Sequence, residues 1–375
     1  MCIISFMKYH VIVFGCQMNT SDAERLAAVF ENLKFKKTKD INKADIIAVV
    51  MCSVRQSAVD RVHWLAHSFA KQKKANPELM TILTGCVLKK DKNKFAISFD
   101  YILDIKDIKQ IKKIARECDL ERTSQAPPAW SRVARGGARI ERAAAGPRAL
   151  AEDHFPSGYV PIMNGCNNFC AYCVVPYTRG REISRPVKEI LREIKNLVKN
   201  KHKEIWLLGQ NVNSYKDKKT NFPKLLKMAD NIPGNFELNF TSSHPKDFSD
   251  ELIKTMAKCK KLSKRLNLPI QSGDDKILRK MNRPYTVEKY KNLIKKIRKI
   301  IPDISLSTDV IVGFPGETKK QFNNTVKAFK EIGFDMAFIN KYSPREGTAA
   351  AKLKDNVSWQ EKKRREKILI KLANE

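Results

Sequence analysis

The chain has 375 residues, enough for two or three domains that each bury a core. Its 72 Lys and Arg against 40 Asp and Glu leave a formal charge of +32. That points to a polyanionic partner, usually nucleic acid, although a solvated Lys-rich surface from a genome biased toward Lys, Ile and Asn reads the same way. No apolar run reaches the length of a membrane span, and the opening MCIISFM is too short for a signal h-region. Nine cysteines, an odd number, argue against a disulfide framework and for metal chemistry in a reducing, cytoplasmic compartment.

In the first third, strand-like and amphipathic stretches alternate. YHVIVF (9–14), DIIAVV (45–50) and LMTILT (79–84) are apolar runs. Between them lie helical stretches, 19–32 with Thr20 or Ser21 as N-cap, and 56 to about 74. This βαβαβ order predicts a parallel sheet with crossover helices, a flavodoxin-like domain over 1–119. Cys16, Cys52 and Cys86 each lie two residues past one of the three runs. In a parallel sheet all three emerge at the carboxyl edge, where ligands bind. Three cysteines of one phase can converge on one site; the plainer alternative is three buried cysteines at strand ends. Gly15 and Gly85 precede two of them and permit a close turn.

From 122 to 150 the composition changes to eight Ala, six Arg and no Lys, with Pro127, Pro128, Gly136 and Gly137. We read 120–152 as a linker; an Arg-rich RNA-binding arm or a foreign segment are the alternatives.

The alternation resumes in 153–375, with six strand candidates at 158–163, 204–208, 236–240, 265–269, 304–312 and 334–339. The clearest helix runs from 187 to 198, with Pro186 near its first turn. Six βα units fit a partial parallel (β/α)6 barrel, whose chemistry sits on the loops after the strands. Those loops are GCNNFCAYC (165–173), GQNVNSY (209–215), TSSHP (241–245), QSGDD (271–275), VGFPGET (312–318) and YSPREGT (342–348).

The first of these carries Cys166, Cys170 and Cys173. Three thiolates on one tight loop can hold three corners of a cubane iron–sulfur cluster and leave one iron open to a small ligand. A zinc knuckle or buried structural thiols are the alternatives, but zinc takes four protein ligands and no second pair follows. The other loops suit a zwitterionic nucleoside. Backbone amides with Gln210 and Asn211 can pair an amine and a carboxylate, Asp309 or a neighbouring hydroxyl a ribose, and Gly313 admits a flat base. Tyr172, Gly209, Ser243 and Gln271 complete the candidate contacts. Cys2, Cys118 and Cys259 fit neither set, and His63, His67 and His202 lack metal spacing.

GCQMNTSD, MCSVR, TGCV, GCNNFCAYCVVPYTRGREISRP, LLGQNVNSY, LPIQSGD, STDVIVGFPGET and YSPREGT, together and in order, resemble the methylthiotransferase family of radical S-adenosylmethionine (SAM) enzymes, in its tRNA-modifying MiaB type. The resemblance covers nearly the whole chain outside the linker. It implies that Cys166, Cys170 and Cys173 carry a SAM-cleaving 4Fe-4S cluster. It implies that Cys16, Cys52 and Cys86 carry an auxiliary 4Fe-4S cluster whose open iron holds the transferred sulfur. One SAM methylates that sulfur and a second yields a radical that takes hydrogen from carbon 2 of N6-isopentenyladenosine beside the tRNA anticodon. The implied partners are tRNA, an electron donor such as flavodoxin or ferredoxin, and a sulfur donor, with a monomeric enzyme and no membrane.

Met51 stands where the family pattern has threonine, and Asn267 where it has histidine. The chain ends at Glu375 in a basic helical stretch, so a counterpart of the family's C-terminal RNA-binding TRAM barrel is expected to be missing. Three other functions stay open. One is methylthiolation of threonylcarbamoyl-adenosine in tRNA, another of an aspartate in a ribosomal protein, and the third is cluster binding without turnover.

Overall fold

A computed structural model describes residues 7–107, 110, 113–114, 148–149 and 157–374. The chain divides into two units, Met1–His154 and Phe155–Glu375.

Unit 1 contains β1 (Lys8–Phe14), α1 (Gln17–Asn32), β2 (Lys36–Lys37), β3 (Ile46–Cys52), α2 (Gln56–Ala75), β4 (Met80–Cys86), α3 (Lys89–Phe95) and β5 (Tyr101–Ile102). The strands pair in parallel in the order β2-β1-β3-β4-β5. Every residue of β3 and β4 is buried. That suits the uninterrupted apolar sequence of β3 and the mostly apolar one of β4, where Thr81 and Thr84 are buried too, because a parallel sheet is covered on both faces. Alternation along β3 assigns the faces. Ile47, Val49 and Met51 pack with Val62, Leu65 and Phe69 of α2. Ile46, Ala48 and Val50 pack with Leu26 and Phe30 of α1. The two helices therefore cover opposite faces. This is the doubly wound, flavodoxin-like strand order, whose direction switches between β1 and β3.

Two details differ from the sequence expectation. First, α1 starts at Gln17 with extended Cys16 as its N-cap, so Thr20 and Ser21 lie inside the helix. The Asn19 carboxamide oxygen accepts from the Cys16 N–H (3.4 Å) and Thr20 N–H bonds to Cys16 O (3.1 Å), closing the first turn early. Second, β3 and β4 extend past their apolar runs to Cys52 and Cys86, because Met51 pairs with Gly85 and Cys52 with Cys86 in the ladder. A two-residue strand β6 (Arg148–Ala149) pairs antiparallel with β1. The rest of the expected linker, and Cys2 and Cys118, lie outside the described residues.

Unit 2 begins with β7 (Ser157–Pro161), β8 (Met163–Asn164), α4 (Val175–Thr178), β9 (Ile183–Ser184), α5 (Val187–Lys199), β10 (Glu204–Leu208), β11 (Lys216–Asp217), β12 (Thr220–Asn221), α6 (Phe222–Asp230) and β13 (Glu237–Phe240). It continues with α7 (Asp250–Lys258), β14 (Arg265–Asn267), α8 (Asp275–Lys280), α9 (Val287–Ile300), β15 (Ser305–Val312), α10 (Lys319–Ile332), β16 (Met336–Lys341) and α11 (Trp359–Ala373). All six expected strands form. They make two parallel three-stranded sheets, β7-β10-β13 and β14-β15-β16. A parallel bridge from Leu238 to Leu262, just ahead of β14, joins them in sequence order. The first strand is shorter than expected because Met163 leaves it to pair with Ser184. The fourth stops at Asn267, short of Pro269, which has no N–H for a ladder.

The amphipathic helices seal the outside of this partial barrel. Ile190 and Ile194 of α5 and Leu225 and Leu226 of α6 share one core with Ile205, Leu207, Leu238, Leu306 and Val310 of the strands. Along β15, Leu306, Thr308, Val310 and Val312 are buried, while Ser307, Asp309 and Ile311 are only partly covered. Every loop after a strand is thereby presented at one rim.

Gly85 has φ +105°, and a Cβ there would sit 2.4 Å from Met51 O. Gly85→Ala is expected to destabilise β3 and β4 by about 2 kcal/mol or more, since a left-handed residue alone costs about 1–3 kcal/mol. Native-state hydrogen exchange of the β3 and β4 amides measures it. The control is Gly347→Ala, at φ +83° but with nothing within 4 Å, which is expected to cost about 1 kcal/mol. Unchanged protection of β4 in Gly85→Ala would contradict the close packing of Gly85 on Met51.

Candidate functional site

In unit 1 the three cysteines stand on adjacent elements at one sheet edge. Cys52 and Cys86 are the last residues of neighbouring strands and face each other in register. Cys16 caps α1, directly after β1, and is exposed while the other two are buried. Gly15 brings this turn against Cys52, for a Cβ on Gly15 would lie 2.9 Å from the Cys52 Cβ. Contact with the Cys86 thiol, together with N–H groups of Val54 and Arg55, holds the Cys52 thiol below its ordinary range although burial opposes it.

Asn19 organises the turn and was not singled out from the sequence. Its side chain is fully buried, donates to Met51 O (3.0 Å) and accepts from Cys16 N and Sγ (3.4 Å each). It fills the space that a side chain on Gly15 would need and borders Gly85, whose closest neighbour is the Met51 backbone. The available signal was its position three residues after the N-cap, where a polar side chain reaches back to the cap.

In unit 2 the cysteine loop follows β7. Gly165 has φ +82°, and a Cβ there would lie 2.1 Å from Arg181 O, so only glycine fits the entry. The Gly165 N–H donates to the Gln210 side chain (2.6 Å) and Cys166 N–H to Gly180 O (3.1 Å). A single turn, Met281 to Arg283, holds the middle of the loop. Met281 O accepts from Ala171 N (2.9 Å), Asn282 Nδ2 donates to Asn168 O (3.3 Å) and Phe169 O (3.0 Å), and Arg283 reaches Cys170 Sγ (3.6 Å). Behind the loop, Ala171 and Tyr172 pack with Met281, Phe314 and Tyr342. Burial pushes the Cys173 thiol up to about 12 and raises that of Cys166 as well. Iron that binds these sulfurs must displace their protons.

The other candidate contacts divide into committed and open groups. Gln210 spends its carbonyl oxygen on the cysteine loop. Gly209 packs on Met163 and has no room for a side chain. Gln271, at φ +66°, is built into the sheet by backbone bonds to Asp309 and Ile311. Asp309 accepts from the side chain of Asn267 (3.1 Å), the residue that departs from the family pattern. Gly313 is closely surrounded within the chain. Its N–H donates to Glu317 (2.7 Å), and the side on which a Cβ would project is filled by the Lys362 stem of α11. Glu317 is itself buried in an ion pair with Arg365 (2.7 Å).

Three buried polar atoms on the two loops after β10 and β13 have no hydrogen-bond partner: Asn211 Oδ1, Ser243 Oγ and His244 Nε2. Burial, then Arg283 and Lys246, hold His244 down to about 2, so its ring is neutral. Its Nδ1 accepts from Lys246 N (3.2 Å), which leaves Nε2 carrying the proton. An acceptor on the loop after β10, and a hydroxyl and a donor at successive positions after the neighbouring strand β13, thus stand unsatisfied. Such buried groups ordinarily find partners, so a polar ligand here is the natural account. His244 was missed because one histidine in a Ser-Ser-His-Pro loop carries no metal spacing.

Among the described residues no three His, Cys, Asp or Glu side chains converge tightly enough to hold one metal ion. A cubane cluster is a different case, since it offers a separate iron to each thiolate. Two three-thiolate sets and the unpartnered polar groups therefore fit two iron–sulfur clusters and a polar cofactor. Cys259 stands at the C-terminal end of α7.

Comparison with known proteins agrees. Residues 160–329 match the radical SAM superfamily, and residues 8–104 match the uncharacterized protein family UPF0004. The tRNA-2-methylthio-N(6)-dimethylallyladenosine synthase of Clostridium novyi is 39% identical over 98% of this chain and 81% of its own length. That of Carboxydothermus hydrogenoformans is 40% identical over 98% and 83%. Among solved structures, the radical SAM methyltransferase TsrM of Kitasatospora setae aligns with a TM-score of 0.63 at 13% identity, over 92% of this chain and 77% of that one, a likeness of fold. With this identity over nearly its full length, beside two separate three-cysteine sets, the chain belongs to the radical SAM tRNA methylthiotransferase family.

Proposed function

We propose that the chain adds a methylthio group to carbon 2 of N6-isopentenyl (dimethylallyl) adenosine next to the tRNA anticodon. The observation that carries this reading is the pair of separate three-cysteine sets, each at the carboxyl ends of a parallel sheet. A single set would serve a simpler radical enzyme.

In this reading residues 1–119 hold the auxiliary cluster through Cys16, Cys52 and Cys86. Residues 153–375 hold the SAM-binding cluster through Cys166, Cys170 and Cys173, and the 120–152 stretch links the two. When bound, the clusters and SAM supply the one-electron chemistry, the sulfur and the methyl group that side chains cannot. The protein supplies position. Gln210 and the Met281–Arg283 turn fix the shape of the cysteine loop. Asn211, Ser243 and His244 present an acceptor, a hydroxyl and a donor to the polar end of SAM. Tyr172 packs behind the loop and Asp309 suits the ribose hydroxyls. Asn19 keeps Cys16 against Cys52.

The charge of +32 suits a tRNA partner. Free thiols suit a reducing cytoplasm, with an external electron donor such as flavodoxin or ferredoxin, a separate sulfur donor and a monomeric enzyme. Among the described residues no helix is long and apolar enough to cross a membrane.

Cys52→Ala is expected to abolish the auxiliary cluster and remove about half of the iron. It should leave cleavage of SAM to 5′-deoxyadenosine intact and yield no methylthio product. Loss of both activities would mean one shared cluster, and retained methylthiolation would remove Cys52 from the chemistry. A second expectation concerns charge. Affinity for the anticodon stem-loop should fall at least about tenfold between about 50 and about 200 mM salt, as counterion release requires. A flat response in a filter-binding titration would instead favour a protein substrate.

A further inference from the structure

Arg283 is 5% exposed, yet among the described residues no carboxylate lies within ion-pair distance of it. Its Nε donates to Tyr285 OH (2.9 Å), one terminal nitrogen to Pro269 O (3.0 Å) and the other to Cys170 Sγ (3.6 Å), while the Tyr285 ring lies 5.1 Å from the guanidinium. Two of these hydrogen-bond partners are neutral oxygens. A guanidinium cannot shed its proton in a protein, so a buried one needs an anion beside it. The group at hand that can become one is the Cys170 sulfur, which is a thiolate whenever it binds iron.

We propose that Arg283 is the built-in counter-cation and hydrogen-bond donor of the Cys170 thiolate, and that it sets the reduction potential of the cluster this loop holds. The inference rests on the reading that Cys166, Cys170 and Cys173 carry that cluster. Reduction adds one electron and makes the cluster more negative. A fixed cation and an N–H aimed at a ligand sulfur favour the reduced state and raise the potential. Arg283 does so from a braced position, since Tyr285 OH and Pro269 O hold its other nitrogens. It is a positioning residue, and SAM cleavage depends on it through ease of reduction. The neighbouring Asn282 and Met281 hold only backbone, which separates the electrostatic role of Arg283 from the shaping role of the turn.

The test uses the full chain with Cys16, Cys52 and Cys86 changed to Ala, so that one cluster remains. Iron content, circular dichroism and an EPR-monitored redox titration are measured with Arg283, Arg283→Gln and Arg283→Lys. In Arg283→Gln the ratio of reduced to oxidised cluster at fixed potential is expected to fall about tenfold or more, a shift of about 59 mV to lower potential for one electron. Arg283→Lys keeps the charge without the fork and is expected to recover part of that shift. Loss of loop iron in Arg283→Gln with retention in Arg283→Lys also supports the counter-cation role. An unshifted potential in an iron-replete Arg283→Gln overturns it. So does loss of iron in both variants with circular dichroism unchanged, because the need would then be for shape rather than charge. If the parent with Arg283 binds no iron, the cluster reading itself fails, and the inference with it.

Discussion

In unit 1, Met51 pairs with Gly85 and Cys52 with Cys86, one step apart in a parallel ladder. Parallel pairing gives both strands the same direction, so both thiols leave the sheet at the same edge, side by side. The next strand over, β1, delivers Cys16 to that edge through a turn that Gly15 and Asn19 compress against Cys52. An antiparallel partner would have carried one thiol to the far edge. In unit 2 the same direction rule presents the cysteine loop, the GQNVNSY loop and the TSSHP loop at one rim. The chemistry of this chain depends on that constraint before it depends on any side chain.

Holding thiolates at a sheet edge leaves polar groups that the fold must satisfy. Some are closed internally: the carbonyl of Gln210 takes the Gly165 N–H, and Asn19 takes Met51 O and Cys16 N. Others stay open. Asn211 Oδ1, Ser243 Oγ and His244 Nε2 are buried without partners, and Arg283 is buried with a thiol where a carboxylate would be usual. An apolar loop could have replaced these groups at lower cost in desolvation. Arg283 bonds to the cysteine loop itself, and the other three stand on the two loops that follow the next strands of the same sheet.

The strands and helices were legible because apolar runs of five to eight residues alternate with amphipathic stretches, and that pattern survives in the described elements with shifts of a few residues at their ends. The grouping of cysteines was legible for the same reason, as phase relative to a run maps onto position at the sheet edge. Contacts between distant segments were not. Arg283 lies 113 residues from Cys170, and Asn282 as far from Phe169, so nothing local marks them. Asn19 was overlooked because its neighbours Thr20 and Ser21 are better N-caps by type, and only the close approach of Gly15 moves the cap to Cys16. The surroundings of Gly313 were equally hidden. The Lys362 stem, 49 residues on, packs where a Cβ on Gly313 would project, and nothing local in the sequence announces it.

The most direct measurement is mass spectrometry of tRNA nucleosides from a methylthiotransferase-null strain that carries this chain. The account predicts that the 2-methylthio form of N6-isopentenyladenosine reappears in tRNA. It is contradicted if the soluble, iron-loaded protein is present and that nucleoside stays unmodified at carbon 2.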